Sequence, residues 1–172
     1  MLATSVYMIV FRIVHILAGV AWGGSLVLFV NFVQPSAAAI GPAAAPFMGE
    51  LLGKRRLINA ILGMAVVTIA GGLFLYWHDW HLYGSFGDWV GSRFGLVLTI
   101  GAIAAIAAFL LGLFGSRPRA ARVMVLSRQA AEAGGPPPPE LVQLQGQLKM
   151  LARASLALVV LSILAMSTAR YW

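Results

Sequence analysis

The chain has no cysteine. That absence excludes disulfides, thiolate zinc sites and iron–sulfur ligation, and it leaves no framework from which to read a redox compartment. Charge is also scarce. Asp, Glu, Lys and Arg together make 10% of the 172 residues, against roughly 25% in an ordinary soluble domain. The acidic residues number only five, and none falls inside an apolar run, which argues against a transporter built on intramembrane carboxylates. No positively charged segment precedes the first apolar run. That run also exceeds the ~7–15 residues of a signal-peptide core, so it is expected to stay as a membrane helix.

What is abundant is apolar surface. Hydrophobic residues make 60% of the chain and mean hydropathy is +0.89. Four runs reach the roughly 20 apolar residues that cross a hydrocarbon core: about Ser5 to Val33, Leu57 to Trp77, Phe94 to Phe114, and Ala154 to Thr168 with extensions at both ends. The runs are continuous rather than alternating, and only helices or closed barrels satisfy the backbone in lipid. The expected fold is an all-α membrane protein, a four-transmembrane-helix bundle in a single domain over residues 1–172.

The net charge is +7. In a soluble protein that would raise nucleic-acid binding; here the basic residues cluster between apolar runs, so they read as topology signals and anionic-lipid contacts, with no nucleic acid as partner. Lys54, Arg55 and Arg56 precede the second run, and Arg117, Arg119, Arg122, Arg128, Lys149 and Arg153 lie between the third and fourth. The positive-inside rule makes both loops cytoplasmic and both termini external, in a bacterial-type plasma membrane. The loop YWHDWHLYGSFGDWVGSR then lies outside, with Trp77, Trp80, Tyr83 and Trp89 near the interface.

The segment from about 116 to 153 is the largest polar stretch. Its AEAGGPPPPE sequence breaks any helix and favours extended polyproline II, while both flanks look helical. It reads as a cytoplasmic helical hairpin turned by prolines, or less readily as a proline-rich partner motif. A faint parallel repeat of two helical hairpins is also visible. KRRLINAILGMAVVTIAGGLFLYW and KMLARASLALVVLSILAMSTARYW each begin with Lys and end in Tyr-Trp at the same offset, and FRIVHIL and SRFGLVL each carry an arginine near the outer end. The bland account is that membrane helices tend to have basic residues inside and aromatics outside anyway.

The residues that stand out chemically are in FRIVHILAGVAWGG. Arg12, His15, Gly19 and Trp22 are spaced to share one face of a helix. Ionisable groups in a span are costly and point to function. A histidine beside glycine fits a porphyrin iron, which needs a neutral imidazole and room for the ring. Arg12, one turn outward, would pair with a propionate, and Arg93 would be a second cation. The plain alternative for His15 is an interhelical hydrogen bond. His78 and Met166 are the candidate second axial ligands, with Met64 less well placed. His78, Asp79 and His81 form an HDWH cluster that reads either as a copper or zinc site or as a solvated interfacial loop.

HILAGVAWGG with Arg12 before it, GKRRLINAILGMAVVTIAGG and SRFGLVLTIGAIAAI resemble the first three helices of the small membrane-bound protoporphyrinogen oxidases and of the related copper-resistance D-type membrane domains. The resemblance implies a four-helix bundle with a heme b ligated by His15, and with it electron transfer or porphyrinogen oxidation. Two other functions stay open: a non-catalytic subunit or assembly factor within a larger membrane complex or homo-oligomer, and copper or metal handling.

Overall fold

A computed structural model describes residues 2–134 and 136–171, without the side chains of residues 2–5 and Pro42. Gly135 of the proline turn and Trp172 of the repeat lie outside the described residues. Every regular element among them is helical. Four helices are long and apolar enough to cross a membrane.

The first span is α1, Leu2–Leu28, which passes through a π turn at Phe29–Val33 into α2, Gln34–Ile40. The chain turns at Gly41, where φ is +67°, and returns through α3, Ala45–Gly49, and a second π turn at Glu50–Lys54. The second span is α4, Leu57–His81. A short helix α5, Phe86–Gly91, leads into α6, Arg93–Leu110, which continues through a π turn at Leu111–Ser116 into α7, Arg117–Ala133. The last span is α8, Pro139–Thr168.

The first and third spans run beyond the expected ends at Val33 and Phe114. Proline is the reason the ends look terminal and the π turns are the reason they are not. Pro35 and Pro118 cannot donate to the carbonyl four residues back. In both cases a π turn ends two residues before the proline, widening the ladder locally so that helix resumes beyond it. Arg119 assists at the second site, donating from Nη1 to the Gly115 carbonyl at 3.0 Å.

The four spans pair as two hairpins. α1 lies along α4 and α6 lies along α8, with sparser contacts from α4 to α6 and from α1 to α8. Small residues permit the close pairs. A Cβ at Gly101 would stand 3.2 Å from the Ala165 Cβ and 3.3 Å from the Ser162 carbonyl. The two hairpins meet around Trp22, Leu26, Ile61, Ala65, Ala105, Ala108 and Val159. Outside this core, Ile13, Ile16, Leu17 and Val20 of α1 are more than half exposed. In water such a face would be an aggregation liability; toward hydrocarbon it costs nothing.

The start of α1, the end of α4, α5 and the start of α6 come together at one end of the bundle, where Phe11 stacks on Phe74 and Tyr76 meets Trp89. At the other end α7 and α8 extend as a helical pair. Arg119 Nε donates to Gln147 Oε1 at 2.9 Å, Arg122 is bidentate on Glu140 at 2.9 and 3.3 Å, and Leu126 and Leu141 are buried.

Candidate functional site

His15 faces α4, and α4 is shaped to receive it. The nearest side-chain-free positions are Gly71 and Gly72. A Cβ on Gly72 would stand 2.8 Å from the imidazole Cε1 and 3.0 Å from Nδ1, and one on Gly71 would stand 3.3 Å from the His15 Cβ. The Cε1–Nδ1 edge of the ring therefore lies against bare backbone. His15 Nδ1 is 2.7 Å from the Thr68 carbonyl oxygen. A carbonyl can only accept, so Nδ1 carries the proton, and in the neutral ring Nε2 is left with a lone pair. Nε2 makes no hydrogen bond among the described residues.

Thr68 itself is 7% exposed. Its hydroxyl donates to the Met64 carbonyl at 2.8 Å within α4, so the hydroxyl is satisfied locally and the hydrogen bond across to α1 is made by the Thr68 backbone. The threonine methyl lies 3.5 Å from where a Gly19 Cβ would be. Gly19 thus does not border an open slot beside His15, because Thr68 fills the space. The glycines that make room for the imidazole are those of the facing helix, in IAGG of α4.

The remaining candidates are distributed. Trp22 is 4% exposed and sits in the interhairpin core, its ring consumed by packing against small and branched side chains. Arg12, one turn from His15, is exposed and makes no ion pair among the described residues. Arg93 is exposed at the first position of α6, on the other hairpin.

The proposed second ligands stand apart from His15. His78 lies six residues beyond Gly72 on α4, about 9 Å further along the axis at 1.5 Å per residue. Its Nδ1 is buried without a hydrogen-bond partner, 3.5 Å from Asp79 Oδ1. Met166 belongs to the α6–α8 pair, where its Cγ would lie 3.2 Å from a Cβ on Gly101 and its sulfur accepts from the Ser162 hydroxyl at 3.9 Å. Met64 accepts the Thr68 hydroxyl through its carbonyl and packs its side chain against the interhairpin core.

The HDWH segment does not converge on a metal position. His81 turns back on its own helix, its Nδ1 donating to the Trp77 carbonyl at 2.8 Å while its ring packs on Trp77 and Trp80. Among the described residues no group of three or more His, Asp or Glu side chains is disposed to hold a metal ion.

Sequence reasoning missed a second feature of this end. Trp89 of α5 is fully buried, with Tyr76, Tyr83 and Phe94 edge-on around it. A Cβ on Gly95 would collide with the Trp89 carbonyl, so glycine is required where α5 crosses α6. Ser92 caps α6, accepting from the Gly95 N–H at 3.0 Å and donating to the Trp89 carbonyl at 2.7 Å. The signal for this joint is in GDWVGSRFG, where Ser and Gly punctuate an aromatic run.

Set against known proteins, the chain matches no family model, no curated protein and no solved structure.

Proposed function

We propose that this multi-pass membrane protein binds heme b and has a redox role, electron transfer or porphyrinogen-type oxidation, with His15 as the axial ligand. The observation that carries the reading is the hydrogen bond from His15 Nδ1 to the Thr68 carbonyl. A metal-ligating histidine characteristically donates its other ring N–H to a carbonyl or carboxylate, which selects the tautomer and orients the free nitrogen. His15 has that second partner, an unbonded Nε2 and a facing pair of glycines.

His15 would hold the iron from the α1–α4 seam, and His78 and Met166 stay the candidates for a second ligand. Arg12 is the cation available to a propionate, with Arg93 as a second on α6. Gly19 and Trp22 then contribute to helix packing rather than to the group itself. Bound heme supplies one-electron chemistry at iron. The chain's own residues hold the imidazole in one tautomer, balance the anionic edge and surround the site with apolar side chains.

In this reading the Lys/Arg-rich end is cytoplasmic and both termini lie on the other side of a bacterial-type plasma membrane. The paired π turns before Pro35 and Pro118 support descent of the two hairpins from a parallel repeat.

A second reading, a non-catalytic subunit or assembly factor of a larger membrane complex, is favoured by a different observation. Gly19, Trp22 and Met166 are all engaged in packing, and the His15–Thr68 bond alone accounts for a polar residue in the α1–α4 seam.

The absorption spectrum of detergent-purified protein, expressed with ample heme, separates the two. The heme reading expects a Soret band that disappears in His15→Ala and persists in Trp22→Phe. A colourless wild-type protein, or a band unchanged in His15→Ala, would refute it. A colourless protein that sizes as part of a larger complex after gentle solubilisation supports the second reading.

A further inference from the structure

The Lys/Arg-rich end of the bundle carries an apolar face that the heme reading does not use. From Ile13 to Gly49 the chain has no Asp, Glu, Lys or Arg. Within that stretch Phe32, Val33, Ser36, Ala37 and Ile40 recur at the spacing of one helix face, and with Phe47 they line an open groove of about 220 Å³. Phe32, Ile40 and Phe47 are each more than half exposed. The helix that starts with α1 runs on to Ile40, so this face looks sideways from the bundle.

Helix registers place the face outside the hydrocarbon. A Cβ on Gly71 would meet His15 and one on Gly19 would meet Thr68, so α4 begins at Leu57 level with about Val30. Tyr76 bonds to Thr99, and Gly115 adjoins Leu151, which brings Arg117 and Lys149 close to the level of Leu57. Arg55, Arg56, Arg117 and Lys149 thus ring the bundle where its apolar spans end, and such a ring marks the headgroup level. α2, Gln34–Ile40, continues about 6–15 Å past it at 1.5 Å per residue. Lipid tails do not reach its apolar face, and in water that face is a liability.

Charge selects what covers it. Nine of the Lys and Arg residues lie at this end, at positions 54, 55, 56, 117, 119, 122, 128, 149 and 153, against Glu50, Glu132 and Glu140. An acidic partner would be steered to α7 and α8, since α2 offers it no cation. A second copy of this chain brings the same excess of cations. It is repelled from the charged surfaces and can approach only where neither copy carries charge, which is the α2 face. That face also holds both halves of a self-fitting contact, the protruding rings of Phe32 and Phe47 beside the open groove. A two-fold axis along the membrane normal keeps two copies in one orientation in the same bilayer and sets α2 against α2.

We propose that the protein is a homodimer whose subunits meet beyond the membrane through α2, the contact centred on Ala37 and flanked by Phe32, Ile40 and Phe47. The uncharged stretch of the sequence is then the part of this end that a like-charged copy can touch.

The test uses the full chain, in its own membranes and in mild detergent. Light scattering of the wild type should give twice the 18.3 kDa of one chain. In membranes under mild oxidant, Ala37→Cys should form a disulfide-linked dimer, because residues beside a two-fold axis bring their Cβ atoms within the roughly 4 Å that the bond needs. Val125→Cys, exposed on α7 at the same end, should not. Ile40→Lys and Ile40→Glu each set like charges face to face and should give monomers, whereas the two co-expressed should give a mixed dimer. A monomeric wild type overturns the proposal. So does cross-linking through position 125 as readily as through 37, or a co-expressed pair that stays monomeric. Recovery of one copy with an equal amount of a different chain would assign the face to that chain and also overturns it. If the Ile40 variants do not fold, cross-linking of Ala37→Cys supports the proposal and its absence refutes it.

Discussion

The imidazole of His15 and the backbone carbonyl of Thr68 are joined at 2.7 Å across the α1–α4 seam, and the threonine side chain takes no part in the bond. That division of labour makes the two residues separable by mutation. His15→Ala removes the donor and leaves a void against Gly71 and Gly72, for a loss of about 1–3 kcal/mol from the interhelical bond and the cavity together. Thr68→Val keeps the accepting carbonyl and the methyl that covers Gly19 and loses only the local bond to the Met64 carbonyl, so it should cost about 0.5–1 kcal/mol. Denaturant-titrated unfolding in mixed micelles compares them. Equal losses would mean that the hydroxyl matters in a way this geometry does not provide.

Two glycines should respond differently to a methyl group. Gly95→Ala drives a Cβ into the Trp89 carbonyl, which is backbone and cannot swing away. It should cost about 3 kcal/mol, the upper end of overpacking, and disturb the α5–α6 joint. Gly72→Ala meets the far edge of the His15 ring, which can rotate outward. Its effect on stability should be smaller, while any spectroscopic signal of His15 should change. Melting temperature and spectrum of the two variants, measured side by side, check the contrast.

The extended α7–α8 pair should loosen in acid. Glu140 is held below the usual carboxylate range by its hydrogen bond with Arg122, which outweighs the opposing effect of desolvation, and the charge of that guanidinium adds a lesser downward pull. A carboxylate with a depressed folded-state pKa contributes stability above its unfolded pKa and loses it as pH falls through the folded one. Amide exchange over residues 120–145 should therefore quicken as pH drops below the ordinary carboxylate range, after correction for intrinsic rates. In Glu140→Gln this additional step should be absent.

The missing cysteines make topology easy to test, because any thiol is an introduced one. Leu82→Cys and Gln129→Cys occupy exposed positions at opposite ends of the bundle. A membrane-impermeant maleimide added to intact cells should label position 82 at once and position 129 only after permeabilisation. The reverse pattern would invert the proposed orientation.

Much of the helical architecture was legible as a one-dimensional pattern. The expected start at Leu57 coincides with the observed one, because Lys54, Arg55 and Arg56 end the preceding polar turn abruptly. The third span starts at Arg93, one residue before the expected Phe94, since Ser92 caps it. The helix continues past the expected stop at Val33, and past Phe114 into the flank that looked helical in the sequence, because proline forbids one hydrogen bond and not the helix on either side of it. The site was legible only in half. His15 stood out as an ionisable residue in an apolar run, whereas its partners Thr68, Gly71 and Gly72 sit more than fifty positions away and look like ordinary span residues.

The sequence by itself determined that this is a helical protein with four spans, since the length and continuity of apolar runs depend on nothing beyond the chain and its solvent. It also placed the charges at the ends of the spans. Tertiary structure decided which helices pair, and through that what each face residue does. Glycine spacing on α1 suggested an opening beside Gly19, but the register of α4 puts Thr68 there and brings Gly71 and Gly72 to the imidazole instead. Trp22 shares the face of His15 in projection, yet the second hairpin covers it. Helical periodicity specifies a direction from one axis. What lies in that direction is set by the packing of the other helices, which no local pattern contains.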